Sequence, residues 1–468
     1  MTGQKIAIFG LGRSGLAIGK AALELGNSPH VFDEKPLASL PKRDLHDEAK
    51  AAKIPLTLGW HGEFSDRPWD LVVVNPAVPR THPKLKSAVE NGLTVVSEVE
   101  FAFRISKAPI VAITGTNGKS TTTVMTMLCL RACGEDAVLC GNIFGSGYPE
   151  LPLTEAALRS TPNQILVAEI SSFQLEWIVD FKPAVAGITN ISPDHLDRYS
   201  SFDEYAATKQ RIFENQAHND FAVVRANDPV VLNPGGLDAL SLSRAGRHLS
   251  AKIEHAIERG LHATGDYVHD GRPDVPTVLT FGATGHDARL EDTELMILHR
   301  QVPQETLPFQ EAHNFTNASM AALLCYAALE WKAAADPCSS AASLLTTTEE
   351  NYLANLAPKR TVYDVRRPDE GTIRVLPEAV IDGLKRFVGL AHRMEPVGQK
   401  DGIRVVNNSM CTNPDAVIKS AQSVPETAHL LIGGVNKSLD FAPLADYLTN
   451  SHDKAYLFGS DARILDNM

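Results

Sequence analysis

Cysteine is scarce in this chain. There are six among 468 residues (Cys129, Cys133, Cys140, Cys325, Cys338 and Cys411), with no Cys-x-x-Cys pair or other metal-binding spacing. This speaks against a thiolate metal site, and the thiols read as buried or free in a reducing cytoplasm. Positive charge is also short, with 44 Lys and Arg against 56 Asp and Glu and a net charge of −12. Binding a phosphate backbone needs a basic surface, so the balance argues against a nucleic-acid partner, though not against a local basic pocket for a nucleotide. No apolar run is long enough to span a bilayer, and the first residues run straight into a strand pattern rather than a signal peptide. The expectation is a cytoplasmic protein with no membrane partner. Internal repeats and low-complexity tracts are missing too. With 44% hydrophobic and 21% charged residues, the length suggests about three domains with sizeable cores.

What the chain does have is Ala112-Ile-Thr-Gly-Thr-Asn-Gly-Lys-Ser-Thr-Thr-Thr123. An apolar run, Pro109 to Ile113, leads into a glycine loop and then a helix-like segment. Glycines let backbone N–H groups converge on phosphate oxygens, and the helix dipole favours the anion. Gly115, Thr116, Asn117, Gly118, Lys119, Ser120 and Thr121 therefore read as a phosphate cradle. Lys119 would reach the β/γ-phosphates, and the Ser120 hydroxyl would sit on Mg²⁺. Gly115 lies three residues before Gly118 where the ordinary Walker A loop has five, and this shorter form suggests one group of ATP enzymes.

An earlier glycine pattern, Gly10-Leu-Gly-Arg-Ser-Gly15, follows a strand and opens a helix, with Asp33 about twenty residues on. On its face it predicts a dinucleotide site; a tight turn in any α/β domain is the alternative. Asp70-Leu-Val-Val-Val-Asn-Pro-Ala-Val reads as another buried parallel strand with a loop at its carboxyl end, the edge where such sheets bind ligands. Strands at 164–170 and 184–189, with helical patterns at 205–214 and 317–329, imply a doubly wound sheet. The topology of 232–300 is not assignable. Segment 339–355 has a helical pattern, and 359–374 suggests an extra hairpin. In the third segment, strands at 403–406, 429–432 and 455–458 alternate with a helix at 414–423.

Glu169 stands at a strand's carboxyl end, well placed for Mg²⁺ or simply exposed there. Asp194, His195 and Asp197 fall within four positions after the next strand. Magnesium prefers oxygen, so the histidine is a candidate only in that company. By pattern alone, Lys209 is a solvated lysine on an amphipathic helix.

Five motifs occur in order: G-T-N-G-K-S-T; E-I-S-S-F-Q-L-E; D-H-L-D-R-Y with Y-x-x-x-K; His313-Asn-Phe-Thr-Asn317; and His392-Arg393. That order resembles the Mur ligases of peptidoglycan synthesis. Within the family, the glycine-loop first domain and S-S-F-Q-L-E point to the members that join D-glutamate to UDP-N-acetylmuramoyl-L-alanine. The resemblance implies three α/β units: a UDP-binding Rossmann-like domain over 1–106, a central P-loop ATPase domain over 107–390, and a Rossmann-like domain over 391–468. It also implies ATP and Mg²⁺, an acyl-phosphate intermediate and a monomer. Residue by residue, Lys119 and Ser120 match the ATP loop, Asn317 the adenine side, and Arg393 a phosphate contact from the third domain. Ser120, Glu169 and His195 match Mg²⁺ positions, and Lys209 matches the family's carbamylated lysine. Arg13, Ser14 and Asp33 match the UDP site, Asn142 a position near the acceptor substrate, and Lys437 the amino-acid-binding lysine. The first glycine loop is then a UDP site rather than an NAD site.

Two departures stand out. Where the family usually shows N-D-S-K-A-T-N, this chain has Asn407-Asn-Ser-Met-Cys-Thr-Asn413, so Asn408 replaces an acid and Met410 a lysine. The sequence also ends at the opening of a helix after 455–458, before the family's later serine and phenylalanine loop. The expectation is a shortened third domain with an uncovered sheet face. Four other readings stay open: the same chemistry with another acidic amino acid such as L-glutamate, a nucleotide-binding module with weak turnover, a folylpolyglutamate synthase, and an NAD oxidoreductase.

Overall fold

The computed structural model describes residues 2–40, 43–217, 219–226, 228, 276–282, 287–335, 346–348, 372–374, 376–434, 439–459 and 462–463. Its first sheet holds β1 (Lys5–Phe9), β2 (Ser28–Asp33), β3 (Leu56–Leu58), β4 (Leu71–Val74) and β5 (Val95–Ser97), in the order β3-β2-β1-β4-β5. All are parallel. Chain order reverses beside β1, which opens a crevice between the loops that follow β1 and β4. Ile6, Ile8, Val31 and Val73 fill one face of this sheet. Phe9, Phe32, Phe64 and Val72 fill the other.

The central sheet holds β6 (Ile110–Thr114), β7 (Asp136–Gly141), β8 (Gln164–Glu169), β9 (Val185–Ile188), β10 (Phe221–Arg225), β11 (Thr277–Phe281), β12 (Ala288–Glu291), β13 (Glu294–Ile297) and β14 (Arg300–Pro303). Its order is β14-β13-β12-β11-β10-β9-β6-β8-β7. Strands β6 to β11 pair in parallel. Continuous apolar runs such as Ile-Val-Ala-Ile in β6 are what a strand covered on both faces requires. One face packs against the helices Lys119–Ala132 and Ala312–Ala335, and the helix Glu378–Lys385 packs on both of these. Helix Ala312–Ala335 is apolar nearly all round and correspondingly buried through its middle turns. The segment for which the sequence offered no topology contributes β11 and an antiparallel extension, β12-β13-β14.

Within the stretch expected to be helical, Thr346–Thr348 (β15) pairs antiparallel with Thr372–Arg374 (β16). Three consecutive threonines are stiff at χ1 and favour strand over helix. The remainder of both expected elements, 339–355 and the 359–374 hairpin, lies outside the described residues.

In the third region, β17 (Glu395–Lys400) and β18 (Ile403–Asn407) form an antiparallel hairpin with a register shift between Pro396 and Gly398. Its turn residues Asp401 and Gly402 have φ of 52° and 81°, the left-handed pair that a tight hairpin turn needs. Strands β19 (His429–Gly433) and β20 (Lys454–Phe458) pair in parallel as a separate two-stranded sheet. The strand expected at 403–406 is therefore present, but its recorded partner is β17.

Candidate active site

Strands β8, β6 and β9 lie side by side, so their carboxyl ends present Glu169, the loop 115–118 and the turn 189–195 together. The loop needs its glycines. Gly118 has φ +83°, and a Cβ there would stand 2.4 Å from Asn317 Oδ1. At Gly115 a Cβ would meet Thr189 Oγ1 at 1.9 Å. The β9 turn anchors the loop from the other side. Thr189 Oγ1 donates to Asn117 O at 2.6 Å, Asn190 Nδ2 donates to the same carbonyl at 2.9 Å, and Thr116 N donates to Asn190 O at 2.8 Å.

Lys119 is the first residue of its helix, and its Nζ donates to Thr116 O at 2.8 Å. The Ser120 hydroxyl donates to Glu169 Oε2 at 2.6 Å, and Asn142 Nδ2 donates to Glu169 Oε1 at 3.3 Å. Thr121 follows, partly exposed. Asn317 Oδ1 accepts from Thr122 Oγ1 at 3.4 Å, which ties the helix Ala312–Ala335 to the first turn of the helix Lys119–Ala132. From the third region, Arg393 Nη2 donates to Ser120 Oγ at 3.0 Å.

His195 sits at φ +54°, with its ring edge-on to Phe173 at 4.8 Å between centroids. Lys209 is 2% exposed, which corrects the solvated lysine that the helical pattern suggested. The helix Phe202–Gln210 buries the face carrying Tyr205, Ala206 and Lys209 under the loop. Lys209 Nζ donates to Gly115 O at 2.7 Å and lies 4.7 Å from the Tyr205 ring centroid. Burial lowers its pKa well below the ordinary 10.5; Lys119 nearby lowers it further, while Asp194 and Glu169 oppose. A cavity of about 350 Å³ joins these groups, lined by Lys119, Asn142, His195 and Lys209 and, from the loop after β4, by Pro76 and Ala77.

Arg13, Ser14 and Asp33 occupy the edge of the first sheet and do not line this cavity. Asp33 closes the glycine loop, accepting from Leu11 N and Lys35 N at 2.8 Å each. Arg13 is exposed and stacks over the Phe144 ring at 4.4 Å. Ser14 is half-buried in the first helical turn. Lys437 lies outside the described residues. Asn408 accepts from Met394 N at 3.2 Å and donates to Ser420 Oγ at 2.9 Å, so its amide ties the turn after Arg393 to the helix Pro414–Gln422. Met410 points outward, 41% exposed.

Sequence reasoning missed several contributors. Pro76 and Ala77 carry no reactive group, and only the loop's place at a sheet edge hinted at them. The Asn117 side chain donates to Asp415 Oδ2 at 3.2 Å and accepts from Asn413 Nδ2 at 3.1 Å, partners nearly three hundred residues away.

The Mur ligase middle domain matches residues 113–265. A UDP-N-acetylmuramoylalanine–D-glutamate ligase of Pelotomaculum thermopropionicum is 32% identical over 467 residues, covering 99% of this chain and 84% of that protein. This chain belongs to the Mur ligase family. A second relative of the same description, from Geobacillus kaustophilus, is 33% identical over 464 residues, covering 98% of this chain and 83% of its own length. Among solved structures, the UDP-N-acetylmuramate–alanine ligase of Thermotoga maritima is 18% identical, covers 98% of this chain and 91% of its own, and has a TM-score of 0.49.

For a Mur ligase the donor set suits magnesium. Among the described residues no three His, Cys, Asp or Glu converge on one point. Magnesium needs no such cage, because it keeps several waters and takes one or two protein groups plus substrate phosphates. The bonded pair Ser120–Glu169, with Asp194 and His195 facing the cavity, offers that kind of partial shell. Among the described residues no helix is long and apolar enough to cross a membrane. The described cysteines are all free: four are buried, and Cys411 is partly exposed.

Proposed function

We propose that this Mur ligase is an ATP-dependent, ADP-forming enzyme that joins D-glutamate to UDP-N-acetylmuramoyl-L-alanine through an acyl phosphate, a step of peptidoglycan precursor synthesis. The observation that carries the reading is the convergence of Lys119, His195 and Lys209 on one cavity, with the Ser120–Glu169 pair joined to it through Asn142, in a chain matched almost end to end by D-glutamate ligases. The first glycine loop falls within that match, which leaves the oxidoreductase and folylpolyglutamate readings without support.

A carboxylate is a poor acylating agent, so its oxygen must become a leaving group. The substrate carboxylate attacks the γ-phosphorus of ATP, and ADP departs. The glutamate amine then attacks the acyl carbon, the C–O bond to phosphate breaks, and a proton is lost from nitrogen. Little covalent work falls to the protein, and positioning and charge neutralisation dominate. In this proposal the loop 115–121 cradles the phosphates. Lys119 exchanges its bond to Thr116 O for a γ-phosphate oxygen, and Asn317 lies on the adenine side. Arg393 brings a second cation from the third region to the same phosphates. Asn142 and His195 face the acceptor's carboxylate. Magnesium, held at Ser120, Glu169 and His195, supplies charge neutralisation when bound.

Lys209 is carbamylated in this reading. A neutral amine adds CO₂ and releases a proton, and burial beside Lys119 favours that neutral amine. The product is an anion facing the cation sites, which accounts for a lysine there. Arg13, Ser14 and Asp33 serve the UDP moiety and Lys437 the incoming glutamate. The chain divides into units at 1–106, 107–390 and 391–468, acting as a cytoplasmic monomer.

The test is phosphate release with UDP-N-acetylmuramoyl-L-alanine, ATP and a panel of D- and L-amino acids. D-Glutamate is expected to give the highest rate. Preference for L-glutamate would reassign the amino acid, and no release with any member would overturn the reading.

A further inference from the structure

Arg198 has no part in the chemistry above, yet it touches three walls of the cavity at once. It follows the His195 turn, which closes with Arg198 N and Tyr199 N both donating to His195 O, at 2.9 and 3.1 Å. Its guanidinium grips both carboxylate oxygens of buried Glu176, Nε to Oε1 at 2.9 Å and Nη2 to Oε2 at 2.8 Å. Nη2 also donates to Val78 O at 3.0 Å and Nη1 to Ala77 O at 3.4 Å. Its plane lies over Phe173 at 4.1 Å, and Phe173 is the ring against which His195 rests. Tyr199 completes the cluster by donating to Glu176 Oε1 at 3.0 Å.

Ala77 and Val78 belong to the loop after β4, so they move with the first sheet. Glu176 and Phe173 follow β8, and His195 follows β9. Other contacts join the two units further from the cavity, such as Ser97 N donating to Trp177 O and Gln174 Nε2 donating to Glu98 Oε2. Arg198 is the link that ties the loop 75–78 itself to the edge that carries the phosphate chemistry. We propose that Arg198 is a positioning residue that sets affinity for the uridine-linked substrate by holding the loop 75–78 at the cavity's mouth, without contributing to ATP binding. The proposal rests on the reading in the preceding section. Lysine cannot do this work, because the task combines a bidentate carboxylate grip, two carbonyl acceptors and stacking on a ring. The ATP-loop groups have anchors of their own in the central unit: Lys119 Nζ on Thr116 O, Ser120 on Glu169 and Asn317 on Thr122.

The experiment compares Arg198→Lys and Glu176→Gln with the parent protein. Calorimetry measures UDP-N-acetylmuramoyl-L-alanine and ADP binding separately, and steady-state kinetics follow where turnover exists. Arg198→Lys is expected to weaken the uridine substrate about tenfold, in Kd and KM alike, as charge-assisted bonds are lost, with ADP affinity unchanged. Glu176→Gln should move the same way by less. Equal weakening of both ligands, or none of either, would overturn the proposal. So would a lowered melting temperature with both affinities intact, which is the mark of a purely structural role. Should the parent protein bind both ligands without turnover, the reaction assignment fails while the Arg198 proposal stands or falls on the two affinities.

Discussion

Strand β8 of the central sheet is buried at every residue after its first, whereas β18 of the third region is exposed at every residue but its last. Both regions reach the same loop, but in different ways. Around β6, β8 and β9, two apolar layers lock the carboxyl ends of the strands, so Glu169 and the loop stand on rigid backbone. The third region presents Ile403 at 69% and Leu431 at 78% exposure, and it meets the loop through the side chains of Arg393, Asn413 and Asp415. The central sheet thus supplies precision, and the third region supplies a polar contact that opens at low cost, as polar interfaces between units generally allow.

If so, damage at the central edge should be severe. Replacing Lys119 with alanine is expected to cut phosphate release about 10²- to 10³-fold, the scale for losing one charge-stabilising donor, with an unchanged melting temperature. A core comparison asks the same question of stability. Leu166→Ala, fully buried in β8, should cost about 2–5 kcal/mol in denaturant unfolding, and Leu431→Ala no more than about 0.5 kcal/mol. Similar losses at the two sites would erase the contrast.

Lys209 sharpens it through pH. Its folded-state pKa is lowered, so the unfolded chain binds more protons between that value and the ordinary 10.5. Stability should therefore rise with pH across that window, and the penalty of burying the cation is fully present below it. In buffer freed of CO₂, Lys209→Met should flatten that slope, as read by unfolding free energy at several pH values. The smallest effect belongs to the third region. Asp415→Ala removes the contact to Asn117 and should raise the KM for ATP about two- to threefold, the scale of one half-buried hydrogen bond.

The rigid half of this comparison was also the legible half. Parallel strands such as Leu71–Val74 and Ile110–Thr114 are apolar runs ending in loops, and Gly115, Gly118 and Lys119 announce their own geometry. Lys209 reads as a surface residue because helical periodicity ranks a lysine as polar, and only the tertiary fold shows the loop lying over it. The β17–β18 hairpin carried a readable signal, Asp401-Gly402, but a charged and glycine-containing β17 hid its first strand. The Asn117–Asp415 and Arg198–Ala77 contacts have no local signature, because they arise when separately folded segments dock.

The central claim is that this sheet edge makes ATP activate a carboxylate. Its most direct test follows oxygen. UDP-N-acetylmuramoyl-L-alanine labelled with ¹⁸O in both oxygens of its terminal carboxylate is turned over with ATP and D-glutamate, and the released phosphate is weighed by mass spectrometry. One ¹⁸O atom in each phosphate is the predicted result, since the leaving phosphate carries away a carboxylate oxygen. Unlabelled phosphate formed alongside product would contradict the account.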